Sequence, residues 1–271
     1  MWTLDEVTLR RKGRALLAGV SLTVDDGELV VLAGQNGAGK STLLRVLSGE
    51  LTNFEGGATH DDTPLSTLSP RALAERRAVM PQSVHLPFSY TVSEVVALGR
   101  FARGDGVDAL RDIVRAALDE VQARALAARV YSTLSGGEQQ RVQLARVLAQ
   151  LEGSGRPPAL FLDEPTAHVD LARQHELFAR VRARVDRGHA CLAVIHDLAI
   201  AARYATRVVL LKEGRVVVDG PPAIALTPEH VGEAFDARMV AVPSPTQATP
   251  LIVYAGPRGE GERAGARSVP D

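Results

Sequence analysis

Apolar residues in this chain fall into short unbroken runs, and each run is followed by a segment with helical spacing. Strands buried on both faces have such runs, whereas strands with one solvated face alternate apolar and polar residues. The alternation of strands and helices predicts an α/β fold with a mainly parallel sheet and right-handed crossovers. The predicted core strands are residues 28–33, 159–162 and 190–195, and the predicted helices after them are 42–48, 170–185 and 198–204.

A second pattern, of short strands separated by turn residues, predicts an antiparallel β layer beside this core. Residues 6–9 and 21–24 read as two strands joined by a basic turn around Gly13, and residues 58–60 follow a Gly-Gly pair. A further hairpin is predicted over 208–218, with its turn at Glu213 and Gly214.

Residues 86–150 read as helical and interrupt the β-rich flanks. Ser69 and Pro70 are a helix start, an N-cap residue with proline behind it, and that helix is expected to end near Arg76. Beyond it, residues 91–101 and the segment from Asp108 carry apolar residues at helical spacing. The predicted organisation is an α/β core with its antiparallel layer at 1–85 and 151–242, and an inserted helical subdomain at 86–150.

The C-terminal part, residues 243–271, is predicted to hold one strand and a disordered tail. A helix is expected over 228–235 and a last strand over 251–254. From Gly256 onward the chain is rich in glycine and charge, which is typical of a solvated tail.

Composition narrows the class of protein. With 271 residues and 45% apolar content the chain can bury a sizeable core, and its formal net charge of -1 gives no reason to expect nucleic acid as a partner. The single cysteine, Cys191, lies inside an apolar run and is expected in the core. The N-terminus does not resemble a signal peptide, and no run reaches the roughly 20 apolar residues of a membrane span. A membrane role therefore requires docking to another protein.

The segment from Gly34 to Thr42, GQNGAGKST, matches the nucleotide-binding loop: a glycine, four residues, then Gly39, Lys40 and Ser41. Glycines allow backbone N–H groups to turn onto phosphate oxygens, Lys40 reaches the β- and γ-phosphates, and the Ser41 hydroxyl ligates Mg²⁺. The alternative is a glycine-rich turn with a stray lysine. The strand-like run before it and the helix-like run after it favour the phosphate loop.

Polar residues at the ends of three predicted strands supply the remaining chemistry. Asp163 and Glu164 follow one strand, and in a nucleotide-loop fold this aspartate holds Mg²⁺ while Glu164 polarises the attacking water as general base. His196 ends a second strand at the same edge, where it is expected to contact the γ-phosphate or the water. Gln82 ends a third predicted strand, at residues 78–82, where it is expected to reach Mg²⁺ and the water.

Ser135, Gly136, Gly137 and Glu138, within the sequence LSGGEQQ, open a predicted helix, and this turn is a second candidate anion site. The alternative is a simple helix N-cap. A phosphate loop and a second phosphate-binding turn serve one nucleotide only if two copies of the chain face each other.

Taken in order and at their intervals, GQNGAGKST, Gln82, LSGGEQQR, LFLDEP, Asp170 and His196 resemble the ATPase subunit of an ATP-binding cassette transporter over about residues 3–240. A nucleotide kinase or GTPase shares the loop but not LSGGEQQR. The resemblance implies a P-loop NTPase of RecA-like fold that binds ATP and Mg²⁺ and hydrolyses ATP. The implied ATP contacts within the loop are Gly34, Gln35, Asn36, Gly37, Ala38, Gly39, Lys40, Ser41 and Thr42.

The same resemblance assigns the remaining roles. Ser135 to Glu138 match the family's signature turn, which caps the ATP held by a second, head-to-tail subunit, and Asp170 matches the residue that connects the two sites of the homodimer. One position departs from the family, because Arg11 lies where an aromatic residue commonly stacks on adenine. A guanidinium plane can stack on a base, so Arg11 is the candidate there.

Residues 79–96 and the loop LEGSGRPP, at 151–158, resemble the iron-chelate, cobalamin and haem uptake group, and most of all the haem (hemin) importer ATPases. This implies a peripheral subunit at the cytoplasmic face of the inner membrane, bound to two integral membrane permease subunits and served indirectly by a periplasmic binding protein. Import of a siderophore or cobalamin remains an alternative. A soluble cassette ATPase in DNA repair or translation is the alternative of another class.

Overall fold

The computed structural model describes residues 1–84, 86–153, 157–167, 169–244 and 249–257. The strands are β1 (Trp2–Arg11), β2 (Arg14–Val24), β3 (Leu29–Gly34), β4 (Glu55–His60), β5 (Thr63–Pro64), β6 (Arg77–Met80), β7 (Ala159–Asp163), β8 (Cys191–Val194), β9 (Arg207–Lys212), β10 (Arg215–Gly220), β11 (Ala237–Val242) and β12 (Leu251–Pro257). The α-helices are α1 (Lys40–Leu47), α2 (Pro70–Arg76), α3 (Val92–Ala97), α4 (Val107–Glu120), α5 (Gly136–Leu151), α6 (Leu171–Val185), α7 (Leu198–Tyr204), α8 (Pro222–Ala225) and α9 (Pro228–Phe235).

The main sheet has the order β10-β9-β3-β8-β7-β6. All neighbouring pairs in it are parallel except the β9–β10 hairpin. Strands β3, β7 and β8 are buried at every residue, as expected for strands covered on both faces. The predicted α/β fold with a mainly parallel sheet is therefore confirmed.

A four-stranded antiparallel sheet, β2-β1-β4-β5, packs against one face of the main sheet. Trp2 and Leu17 from this layer share a hydrophobic cluster with Leu43 of α1 and Phe161 of β7. The predicted turn at Gly13 is present, but β1 and β2 extend well beyond the short strands that were expected. Their alternation is interrupted by register shifts near Val7 and Leu9, which hid the full length from the pattern.

The other face of the sheet carries the long helix α5 and the helices packed on it. Val96 of α3 and Leu118 of α4 lie in one hydrophobic cluster with Val147 and Leu148 of α5 and with Leu160 and Leu162 of β7. Helix α3 is shorter than the predicted segment 91–101, since a 3₁₀ turn over Leu98–Arg100 follows it.

Two elements near the C-terminus were not predicted. Helix α8 is a single turn, and β11 pairs with β12 in a separate two-stranded sheet. The predicted tail begins at Gly256, but β12 continues to Pro257. The rest of that tail, and residues 154–156 of the loop 151–158, lie outside the described residues.

No helix in the described ranges is both long enough and apolar enough to cross a bilayer.

Candidate nucleotide-binding site

The candidate site lies at the carboxyl edge of the parallel sheet. Because parallel strands end at the same edge, the residues after β3, β6, β7 and β8 meet there. These are the loop at 34–42, Gln82, the pair Asp163 and Glu164, and His196. The edge is the usual ligand side of an open α/β sheet.

Two glycines allow the loop to pass close to neighbouring backbone. Gly34 has φ +143°, and a Cβ there would collide with the carbonyl oxygen of Leu211 in β9. Gly39 has φ +106°, and its Cβ would lie 2.6 Å from the carbonyl oxygen of Leu16 in β2. The loop is therefore wedged between the main sheet and the antiparallel layer, which only glycine permits.

Lys40, the first residue of α1, is 5% exposed and points into the loop. Its Nζ donates to the carbonyl oxygens of Gly34 and Gln35, both at 2.8 Å. Burial lowers the pKa of Lys40, while the carboxylates of Glu164 and Asp163 oppose that shift. The Lys40 ammonium is therefore held by two backbone carbonyls and interacts electrostatically with two carboxylates.

Ser41 and Asp163 form the oxygen-rich side of the site. The Ser41 hydroxyl donates to Asp163 Oδ1 at 2.9 Å, and Asp163 is 6% exposed. Burial raises the pKa of Asp163, and the hydrogen bond from Ser41 lowers it. A hydroxyl next to a partly desolvated carboxylate is a suitable donor set for a hard divalent cation.

Glu164 has both carboxylate oxygens occupied. Gln82 Nε2 donates to Oε2 at 2.8 Å, and His196 Nε2 lies 2.9 Å from Oε1. An ionised carboxylate only accepts, so Nε2 of His196 carries the proton in this pair. Glu164 itself has φ +50°, a left-handed conformation for a non-glycine residue. Three predicted residues from three different strand ends are thus in direct contact.

The turn at Ser135–Gly137 forms the start of α5. Ser135 and Glu138 make a capping box, in which Glu138 Oε2 accepts from the Ser135 N–H at 2.8 Å and the Ser135 hydroxyl accepts from the Glu138 N–H at 3.4 Å. The Ser135 N–H also lowers the pKa of Glu138. Among the described residues, no hydrogen bond or ion pair joins this turn to the loop at 34–42.

Among the residues that the structure describes, neither Asp170 nor Arg11 forms a hydrogen bond or ion pair with Glu164, Gln82 or His196. Asp170 caps α6 by accepting from the Arg173 N–H at 3.1 Å, and it pairs with the Arg173 guanidinium at 3.1 Å. Arg11 is exposed at the end of β1, opposite Arg14. The role expected of Asp170 requires a second subunit, and the role expected of Arg11 requires a bound nucleotide.

Two contacts of the loop were missed by the sequence analysis. The Gly214 N–H donates to the Ala38 carbonyl at 2.9 Å, and the Gly214 carbonyl accepts from the Ala18 N–H at 2.9 Å. The Gln35 side chain donates to the carbonyl of Phe235, the last residue of α9. Gly214 was recognised only as a hairpin turn, and no local pattern indicates a carbonyl acceptor two hundred residues away in sequence.

Comparison with known proteins agrees with this geometry. The family model described as ABC transporter matches residues 17–167. A hemin import ATP-binding protein of Myxococcus xanthus is 46% identical over 91% of this chain and 94% of its own length. The protein of the same name from Bordetella pertussis is 44% identical over 92% of this chain and 97% of its own length.

Solved structures give the same fold. One chain, described as the ATP-binding subunit of an ABC transporter, superposes with a TM-score of 0.74 at 25% identity, covering 86% of this chain and 95% of that one. A dimeric bacterial ABC transporter cassette gives 0.73 at 27% identity, covering 82% of this chain and 99% of that one.

Proposed function

The chain belongs to the ABC transporter family, and from this premise we propose that it is the ATP-hydrolysing subunit of an importer whose cargo is haem (hemin). The ATPase part depends chiefly on Glu164, which Gln82 and His196 hold at the sheet edge that also carries the phosphate loop. The cargo part is supported by the printed names of relatives that are 42–46% identical over nine-tenths of the chain.

Mg²⁺ binding is proposed at Ser41 and Asp163, with the amide oxygen of Gln82 as a further ligand. The fit is supported by the donor chemistry, because hydroxyl, carboxylate and amide oxygens are the ligands that Mg²⁺ accepts. When bound, Mg²⁺ neutralises charge on the β- and γ-phosphates.

In the proposed reaction, Glu164 acts as general base on a water molecule beside the γ-phosphate. The water oxygen forms a bond to the γ-phosphorus, the bond to the bridging oxygen breaks, ADP leaves, and the water proton passes to Glu164. Each carboxylate oxygen of Glu164 accepts one hydrogen bond from protein and keeps a second lone pair, so Glu164 can take the water proton while Gln82 and His196 hold it in place. Lys40 stabilises the phosphate charge.

Two copies of the chain are required by this proposal. The loop at 34–42 supplies the cradle, and the turn at Ser135–Gly137 of a second, head-to-tail copy supplies the lid. The start of α5 supports this arrangement, because the N–H groups of Gly136 and Gly137 take no part in the capping box and offer a positive helix terminus for phosphate oxygens. Asp170, also exposed at a helix start, is proposed to connect the two sites.

The permease partner is proposed to dock where the helical segment meets the core. A cavity of about 460 Å³ has both core and helical residues in its lining, among them Glu50, Arg77, Leu98 and Phe101. Phe101 is 90% exposed and Leu98 41%, which is unusual for large apolar side chains. This docking would hold the subunit at the cytoplasmic face of the inner membrane.

The ATPase assignment is tested by Glu164→Gln, which keeps the size of the side chain but replaces its basic carboxylate with a neutral amide. We expect ATP binding to persist, turnover to fall by at least about a hundredfold, and a closed ATP-bound dimer to accumulate in light scattering. Glu213→Gln, in an exposed hairpin turn, is the control. Unchanged turnover in Glu164→Gln would remove Glu164 from its role.

The cargo is tested with the permease complex reconstituted in vesicles. ATPase activity is measured with haem-loaded, siderophore-loaded or cobalamin-loaded binding protein, and only the haem-loaded protein is expected to stimulate it. Stimulation by one of the other two would reassign the cargo while leaving the ATPase assignment intact.

A further inference from the structure

Helix α5 lies along the outer edge of β6. Two of its side chains donate hydrogen bonds to β6 carbonyls that would otherwise bond to a neighbouring strand. β6 is the last strand of the main sheet, so alternate carbonyls on its outer side face away from β7. Arg146 Nη2 donates to the Val79 carbonyl at 2.8 Å, and Gln150 Nε2 donates to the Arg77 carbonyl at 2.9 Å.

The spacing explains why one helix can serve this edge. Residues four apart on a helix are about 6 Å apart along its axis, close to the roughly 6.6 Å between alternate residues of a strand. The higher helix number pairs with the lower strand number, so α5 runs antiparallel to β6. The end of α5 that carries Ser135 therefore lies towards Gln82, which follows β6.

Arg146 also belongs to a polar relay that leads to the signature turn. Its Nε donates to Gln143 Oε1 at 2.8 Å, and Gln143 Nε2 donates to the Tyr131 hydroxyl oxygen at 3.0 Å. Gln143 is 3% exposed and Tyr131 6%. Tyr131 opens the 3₁₀ turn that leads into Ser135, and its carbonyl accepts from Gln139 of α5.

The other end of the relay leads to the general base. From Val79 the chain passes through buried Met80 and the rigid Pro81 to Gln82, whose Nε2 donates to Glu164 at 2.8 Å. A displacement of Val79 is therefore carried to Gln82 over a short, stiff segment.

We propose that Arg146 is a positioning residue for ATP hydrolysis: through Val79 it sets Gln82 against Glu164, and through Gln143 and Tyr131 it ties that position to the signature turn. The proposal rests on the proposed function, which assigns Glu164 and Ser135 their roles. Its consequence is that contact between the signature turn and the nucleotide of one subunit adjusts the general base of the other site. The two sites of a dimer are then coupled inside each chain.

Three variants of the full chain test the relay. Arg146→Lys keeps the charge but lacks the planar fork that reaches Val79 and Gln143 together. Tyr131→Phe removes one hydroxyl. Gln150→Ala is the matched control, because it removes hydrogen bonds from the same helix to Arg77 of the same strand and to Ala74 of α2, and Gln150 is not part of the relay.

In steady-state kinetics we expect the kcat of Arg146→Lys to fall by about tenfold to a hundredfold, with KM for ATP within about twofold. The kcat of Tyr131→Phe is expected to fall by about fivefold, which corresponds to the net free energy of one neutral hydrogen bond. Gln150→Ala is expected to keep its kcat even where urea denaturation shows an equal loss of stability. An equal loss of kcat in Gln150→Ala would make Arg146 merely structural and overturn the proposal.

The NMR signal of the Gln82 side-chain amide provides a readout that does not need turnover. This signal is assigned as the one that is lost in Gln82→Ala. Arg146→Lys and Tyr131→Phe are expected to shift this resonance, and Gln150→Ala is not. An unshifted resonance in both relay variants would overturn the proposal, and Tyr131→Phe alone decides it if Arg146→Lys does not fold. A wild-type protein that hydrolyses no ATP would reject the proposed function, while the resonance would still decide the relay.

Discussion

At the scale of single residues, the glycines of the phosphate loop differ in what surrounds them. Gly34 lies against the Leu211 carbonyl, whereas Gly37, with φ +80°, has no heavy atom of the described residues within 4 Å of the position a Cβ would take. Both are in left-handed or glycine-type backbone regions, yet only Gly34 is confined by packing. A substitution at Gly37 therefore tests backbone strain alone, whereas one at Gly34 also tests a steric collision.

Gly34→Ala is expected to prevent stable folding, because β9 would have to leave β3. Gly37→Ala is expected to fold and to lose about 1–2 kcal/mol, the cost of a side chain in the left-handed region. Urea denaturation followed by circular dichroism measures both. A folded Gly34→Ala protein with normal stability would show that the contact with Leu211 is dispensable.

His189 makes folding stability depend on pH. It is 8% exposed, and its Nδ1–H donates to the Pro158 carbonyl at 2.7 Å. Burial lowers the pKa of His189 below 6.5, although the Pro158 carbonyl opposes the shift. Since the unfolded chain then binds more protons between that lowered pKa and 6.5, stability is complete above pH 6.5 and declines as the pH falls below it.

We therefore expect His189→Gln to reduce the loss of unfolding free energy between pH 7.5 and pH 5.5. The difference from the wild type cannot exceed about 1.4 kcal/mol per pH unit for one proton. His230→Gln, at a partly exposed histidine, is the control. A wild type and His189→Gln with parallel pH profiles would contradict the assignment.

At the scale of elements, α3 and α5 begin with the same device. Thr91 with Glu94 and Ser135 with Glu138 each form a complete capping box. Only the second contains two glycines, Gly136 and Gly137, between its capping residues, so no side chain there stands between the helix terminus and a ligand. The pair therefore separates capping from phosphate binding.

Thr91→Ala and Ser135→Ala are both expected to lower the unfolding free energy by about 1 kcal/mol. Only Ser135→Ala is expected to lower the ATPase rate as well, because its hydroxyl is proposed to bind the nucleotide of the facing subunit. Thermal unfolding and a steady-state ATPase assay measure the two effects. Equal ATPase rates in the two variants would reduce the Ser135 turn to a helix cap.

At the scale of the whole molecule, one chain brings together only part of the proposed machinery. Asp163 is bonded to Ser41 of the phosphate loop, and Gln82 and His196 are bonded to Glu164 next to it, whereas the turn at Ser135 is held by its own helix. A composite site of this kind predicts that two inactive variants, one altered in each half of the site, complement each other in a mixed dimer.

Mixing two inactive variants is expected to restore activity. Lys40→Ala removes the cradle and Ser135→Glu places a negative charge against the phosphates, yet a dimer of one of each retains one intact pair of cradle and lid. We expect neither variant alone to hydrolyse ATP, and an equimolar mixture to recover a measurable fraction of the wild-type rate. A mixture as inactive as its components would argue against a shared site.

The sequence by itself determined the parallel sheet, the phosphate loop and the acidic strand end, because each depends on neighbouring residues. Apolar runs specify buried strands, and a parallel sheet brings their ends to one edge, so Gln82, Glu164 and His196 were predicted to be close. It did not indicate β11, whose residues are mostly exposed, or the single turn of α8. Strands and helices with little burial leave little periodicity.

Only the tertiary structure decided the partners. Three sets of hydrogen bonds depend on packing between distant segments. Gln82 and His196 bond to the two oxygens of Glu164, Gly214 and Phe235 bond to the phosphate loop, and Arg146 bonds to the edge of β6. Side-chain hydrogen bonds of this kind are set by relative positions of less than an ångström, which local periodicity does not encode. The fold follows from composition along the chain, whereas the pairing of its polar groups follows from how the layers meet.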